Sequence, residues 1–205
     1  MRGRVGDDPA TALRELLVDS AEKLLAERQV SSITTRDIAR AAGVSDGVLY
    51  NYFANKNDLL VAALVRRYAG LVSGFDADLP VPGSATVEEN LVGYARAVLD
   101  LVAQTLPIAA GLMTEPALLQ RFIDEIHTQP FGPQRLHQPI ADYLTAEQRL
   151  GRLGEVDVEA VITLIMGPAL MMGFTELVAG TPRETLAAGL PAVVRTLVTG
   201  LRPAT

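Results

Sequence analysis

Between Thr34 and Leu60 the chain reads TTRDIARAAGVSDGVLYNYFANKNDLL, and this stretch constrains the fold more than any other. Thr34 stands three residues before Asp37, a capping pair for a short helix whose apolar positions Ile38, Ala39 and Ala42 share one face. Gly43 ends that helix, because a glycine just past the last turn can take the left-handed conformation that reverses the chain, with Val44 packing the turn. Ser45 then caps a second short helix with Val48, Leu49 and Tyr52 or Phe53 as inner positions, and Asn55 with Asp58 caps the next. Two helices joined by a three- to four-residue turn containing glycine form the geometry that sets the second helix in a DNA major groove.

The flanks complete a helical head. Asp8-Pro9 starts a helix whose stripe runs Leu13, Leu16, Leu17, Ser20, Leu24 and Leu25, and Lys56 to about Val72 continues as a fourth helix with Leu59, Leu60, Ala63 and Leu64 on one side. Proline, glycine and small polar residues gather in FDADLPVPGSA, Phe75 to Ala85, which marks the break between head and body. Beyond it, helices are expected from Thr86 to Gln104, and from near Pro107 to His127 with an interruption at Glu115-Pro116. Others are expected from Pro133 to Arg149, from Val156 to Ala179 and from Pro182 to Leu201. No period-2 pattern bounded by hairpin turns suggests a strand.

The motif resembles the tetracycline-repressor (TetR) family of bacterial transcriptional regulators. The match runs Thr35, Ile38, Ala39, Ala42, Gly43, Val44, Ser45, Gly47, Leu49, Tyr50, Tyr52, Phe53, Lys56, Leu59 and Leu60, and its Y-x-Y-F-x-x-K extension is more restrictive than a bare helix-turn-helix pattern. It covers about residues 10 to 66. The resemblance implies an all-α fold, with a three-helix helix-turn-helix DNA-binding domain at 1–66 (motif 34–53) and a larger helical ligand-binding and dimerisation domain at 67–205. It also implies a homodimer formed through the two C-terminal helices, a palindromic double-stranded DNA operator, and release by a small-molecule effector, apolar or amphipathic. The alternative is a helical ligand-binding or scaffold protein that has lost DNA binding, argued by acidic Asp46 and a nearly neutral head.

Charge is uneven along the chain. Net charge is −6, yet residues 1–68 hold ten Lys or Arg against nine Asp or Glu, whereas residues 69–205 hold eight against fifteen. Without cysteine there are no disulfides, and the start MRGRVGDDPAT has no apolar stretch for a signal peptide, so a cytoplasmic protein is expected. The longest uncharged run, Ala160 to Thr175, is 16 residues, short of the ~20 that span a bilayer, and is read as a buried helix with no membrane role.

Base reading falls to Arg36 on the first motif helix, which can donate two bonds to guanine, and to Asp46, Gly47, Val48 and Asn51 on the second. Asn51 can pair adenine and Gly47 lets the backbone approach closely. Asp46 either accepts from cytosine, pairs with Arg36 or Arg40, or stabilises the helix start. The resemblance adds Lys56, Thr35, Tyr50 and Tyr52 as phosphate contacts, with Ser45 beside them; Tyr52 also fits the core and Lys56 an exposed solubilising position. For an effector cavity the candidates are Met113, Leu118, Phe122 and Ile126, then Met166, Leu170 and Phe174, with Leu119 and Ile162 nearby. His127 and His137 lack carboxylate partners at metal spacing, and no phosphate-binding, dinucleotide or nucleophile motif occurs, so no metal, cofactor or enzymatic activity is expected.

Overall fold

The computed structural model describes residues 8–75, 79–132 and 134–200. It is all-α: α1 (Pro9–Glu27), α2 (Thr35–Ala42), α3 (Asp46–Leu49), α4 (Lys56–Ser73), α5 (Val87–Leu112), α6 (Pro116–Thr128), α7 (Gln134–Arg149), α8 (Val158–Ala179), α9 (Arg183–Ala187) and α10 (Leu190–Thr199). A 3-10 turn at Val30–Ser32 joins α1 to α2, and no strand occurs among the described residues. Two compact units result, one from Met1–Tyr68 with Ala109–Ile126, the other from Ala69–Ile108 with His127–Thr205. Nothing in the sequence pattern signalled that residues 109–126 group with the head.

In the first unit, α1 buries Leu17, Val18, Ala21 and Leu24. Leu16 was expected on that stripe but is 41% exposed, because at 100° per residue it lies beside the face that Leu17, Ala21 and Leu24 define. Helix α4 buries Leu59, Leu60, Ala63 and Leu64, and each such leucine removed from water contributes about 2 kcal/mol. Its Arg66 faces α1, with Nη1 3.1 Å from Glu15 and Nη2 2.9 Å from Glu22. Helix α6 packs on the same helix through Phe122, whose ring meets Tyr68 edge-on at 6.0 Å, and through an ion pair between Arg121 and Asp58.

The second unit departs from the sequence reading in two places. Pro107 does not begin a helix; it lies inside α5, which runs unbroken to Leu112. An internal proline forfeits one backbone bond, but Leu101 and Ile108, two turns apart on one face, are both buried and hold the helix across it. The final helix is two pieces: α9 ends at Ala187 and α10 begins at Leu190, with Gly189 as its N-cap and Pro191 in its first turn, where no N–H is missed. Leu201 and Pro133, named in the sequence reading, lie outside the described residues.

Capping fixes the starts of α5 and α8. Thr86 Oγ1 accepts from Glu89 N at 3.1 Å while Glu89 Oε2 accepts from Thr86 N at 3.0 Å, and Asp157 Oδ1 accepts from Ala160 N at 3.0 Å. The loop before α5 is held by a buried polar group: Glu147 Oε1 accepts from Gly83 N at 2.9 Å, and Arg152 Nε lies 3.1 Å from Glu147 Oε2. Tyr143 and Asn90, both buried, adjoin it.

Helices α5 and α8 are long and apolar enough to cross a membrane by length and composition. For α8 the helix is 22 residues long, beyond the 16-residue uncharged run within it, and length and composition alone do not place it in a membrane. The helix was expected to be buried, yet only 22% of its most apolar window is covered. Ile162, Ile165, Ala169 and Gly173 face inward, while Leu164, Leu170, Met171, Phe174, Leu177 and Val178 face out. Apolar residues surround this helix on all sides, so sequence periodicity gave no inner face to read.

Candidate nucleic-acid interface

The first motif helix is built as the sequence suggested. Asp37 N donates to Thr34 Oγ1 at 3.1 Å and Thr34 N to Asp37 Oδ2 at 3.0 Å, a reciprocal capping box. These bonds from Thr34, side chain first and backbone second, hold the Asp37 carboxyl below its ordinary range, with Arg28 and Arg40 adding to the effect. Gly43 takes φ 69° and ψ 27°, and the turn closes with Val44 N donating to Ala39 O at 2.9 Å. Only glycine adopts that conformation without strain.

The second motif helix is shorter than expected. It spans Asp46–Leu49, and the chain continues through turns in which Tyr52 N and Phe53 N both donate to Leu49 O. Ser45 occupies the N-cap but makes no side-chain capping bond, contrary to the sequence reading. Leu49 and Phe53 are the buried anchors, whereas Val48 and Tyr52 are half-buried. The guanidinium of Arg14 lies 5.0 Å from the centre of the Phe53 ring, a contact the sequence gave no means of finding.

With that underside fixed, Arg36, Ser45, Asp46, Gly47, Tyr50 and Asn51 are all exposed, and Thr35 is half-buried. Tyr50 keeps 58% of its surface open, unusual for an aromatic side chain on a helical surface. Arg36 Nε donates to Asp46 Oδ2 at 3.4 Å, linking α2 to α3. Of the partners considered for Asp46, Arg36 is the one it meets. Lys56, half-buried at the start of α4, donates from Nζ to the backbone oxygen of Ile33 at 2.9 Å, so it is not simply a solvated lysine. Asn55 Oδ1 accepts from Asp58 N at 3.0 Å and caps α4 as expected.

The effector candidates are distributed over both units. Leu118, Phe122 and Ile126 form the buried face of α6, with Leu119 half-buried beside them and Met113 exposed. On α8, Ile162 is buried and Met166 half-buried, but Leu170 and Phe174 are exposed on its outer face. An open cleft of about 330 Å³ lies elsewhere in the second unit, lined by Gly70, Phe75, Ala97, Asp100, Leu101 and Gln104 among others. None of the sequence candidates borders it.

Residues 17–63 match the family described as "Bacterial regulatory proteins, tetR family". The chain is similar to the HTH-type transcriptional regulator AlkX of Mycobacterium tuberculosis, 32% identical over 53% of this chain and 52% of AlkX. It is similar also to the fatty acid metabolism regulator protein of Bacillus subtilis, 31% identical over 37% of this chain and 38% of that protein. The chain thus spans about half the length of AlkX, and less of the second relative. Among solved structures, the transcriptional regulator FadR from Bacillus subtilis in complex with stearoyl-CoA shares the fold over 92% of this chain and 99% of its own, at 24% identity and a TM-score of 0.61. The motif residues, the all-α architecture and these likenesses agree: residues 17–63 match the TetR family of bacterial regulatory proteins, and the chain is similar to transcriptional regulators of that kind.

Proposed function

We propose that this regulator is a homodimeric repressor that reads a palindromic operator through α2 and α3 and leaves it when an apolar or amphipathic molecule binds. The observation that carries the DNA-reading part is Gly47. A Cβ built there meets nothing within 4 Å and its backbone does not require glycine, so the protein's own packing does not explain the residue. A surface pressed against α3 would. Arg36, Asn51 and Tyr50 stand around it with polar groups free to meet bases and phosphates.

Dimerisation is supported by the outer face of α8, where Leu164, Leu170, Met171, Phe174 and Val178 are each more than half exposed. A patch of that kind on a lone chain marks an interaction surface, and a twofold pair would present two recognition helices to symmetric half-sites. For the effector, the relatives supply the class: one is named a fatty acid metabolism regulator and one structure holds stearoyl-CoA, which makes a long-chain acyl thioester the first compound to test.

The test is capture of genomic fragments by the purified protein, sequencing of what is enriched, and challenge of the complex with stearoyl-CoA, stearate and CoA. An inverted repeat released by stearoyl-CoA but not by CoA is the expected result. Absence of any retained DNA at low salt would replace this reading with that of a helical binding protein that has lost its operator.

A further inference from the structure

We infer that Asp46 is a positioning residue that sets the specificity of Arg36, fixing its guanidinium for end-on recognition of a guanine. This rests on the proposal that α2 and α3 enter a major groove.

A carboxylate at the start of a groove-facing helix is the most anomalous residue of the interface. Phosphates repel it, and it lowers the attraction that supplies most non-specific affinity. Stability explains only part of it: Asp46 favours the start of α3, but the pair it forms with Arg36 joins two side chains that are 76% and 52% exposed, a setting in which ion pairs add little. Its effect on geometry is larger. Arg36 leaves α2 as a long chain with several rotatable bonds, and Asp46 Oδ2 accepts from its Nε at 3.4 Å from the adjoining helix. With Nε engaged, the side-on edge of the guanidinium is occupied. What remains is the end-on pair, Nη1 and Nη2, and a fork held in one plane matches the O6 and N7 acceptors of guanine. The carboxylate also balances the charge that would otherwise hold Arg36 on any nearby phosphate. Asp46 therefore trades general affinity for discrimination.

Selection from a random duplex library tests this with the wild-type protein and the variants Arg36→Ala, Asp46→Ala and Asp46→Asn, with binding to a mixed non-operator duplex measured alongside. Wild type should select a motif containing a guanine whose preference Arg36→Ala abolishes. Asp46→Ala should weaken the preference at that same base pair by about tenfold while binding the non-operator duplex more tightly. Asp46→Asn keeps an oxygen that accepts from Nε, so it should retain the guanine preference and yet share the gain in non-specific affinity. If Asp46→Ala leaves the selected motif unchanged, or alters a different base pair from Arg36→Ala, Asp46 does not act through Arg36 and the inference fails. Failure of the wild type to select any sequence would instead overturn the DNA-reading proposal on which it rests.

Discussion

Lys56 Nζ donates to the backbone oxygen of Ile33 at 2.9 Å, so the first residue of α4 holds the chain just ahead of the Thr34 cap of α2. An ammonium at a helix N-terminus opposes the helix dipole, and Asp58 in the same turn offsets it. Three donors are available and the carbonyl takes one, which leaves two for a phosphate. Lys56→Ala should therefore act twice. The lost charge-assisted bond lowers stability by about 1–2 kcal/mol, and the salt slope of DNA binding falls by about 1, equally on operator and non-operator duplexes. A lower melting temperature with an unchanged salt slope would leave Lys56 as a fastener alone.

Gly47→Ala should separate folding from binding. The site is open on the protein side and the backbone is helical, so alanine should be neutral or stabilise by up to about 1 kcal/mol. Operator affinity should nonetheless fall by about tenfold, because a methyl group on the groove face holds the backbone away from the duplex. Equal affinity of the two proteins would remove α3 from the groove.

What the sequence disclosed follows from the range of the forces involved. The Thr34–Asp37 box, the left-handed Gly43 and the Asn55 cap are local interactions, and each could be read from neighbouring residues. The contact of Arg14 with Phe53, the bond from Lys56 to Ile33 and the pairing of Arg66 with α1 join residues far apart in sequence, and no spacing rule reaches them. The effector candidates are a different case. Leu170 and Phe174 are apolar residues on a helix that is apolar all round, so composition selected them and only tertiary packing revealed that they face outward.

Tyr143 should make the protein alkali-sensitive. Burial first, then the negative charge of Glu147, push its phenol up to about 12, against an ordinary value of 10.0, although Asn90 pulls the other way. A raised phenol pKa means that the unfolded chain loses this proton first. The contribution is then complete below about pH 10 and disappears as pH rises toward 12. Denaturant midpoints followed across that window should fall, and Tyr143→Phe should flatten part of the decline. An unchanged slope in the variant would place the sensitivity elsewhere.

Gly173 of α8 meets α5 so closely that a Cβ there would lie 2.5 Å from Val102 Cγ1. Valine in a helix has one strongly preferred rotamer, so it cannot easily turn aside. Gly173→Ala should destabilise by about 1–2 kcal/mol even though alanine is the better helix former, because overpacking outweighs propensity. Val102→Ala should relieve the clash, making the double variant more stable than the sum of the two single effects. Strict additivity would show that the helices simply move apart.

Phe174 and Met171 distinguish a lone chain from a paired one. Both are exposed on α8, at 56% and 65% of their surface, and neither contributes to the buried face formed by Ile162, Ile165, Ala169 and Gly173. In a monomer, replacing either with glutamate would be nearly neutral and would improve solubility. In a dimer joined along this face, Phe174→Glu and Met171→Glu would place carboxylates in an apolar interface without partners, at a cost of several kcal/mol for each subunit. The variants should then sediment as monomers at concentrations where the wild type is dimeric, with far-ultraviolet circular dichroism unchanged. Operator affinity should fall much more than binding to a single half-site, since the loss is of the second recognition helix rather than of the first. A wild-type monomer, or glutamate variants that remain dimeric, would move the interface away from α8.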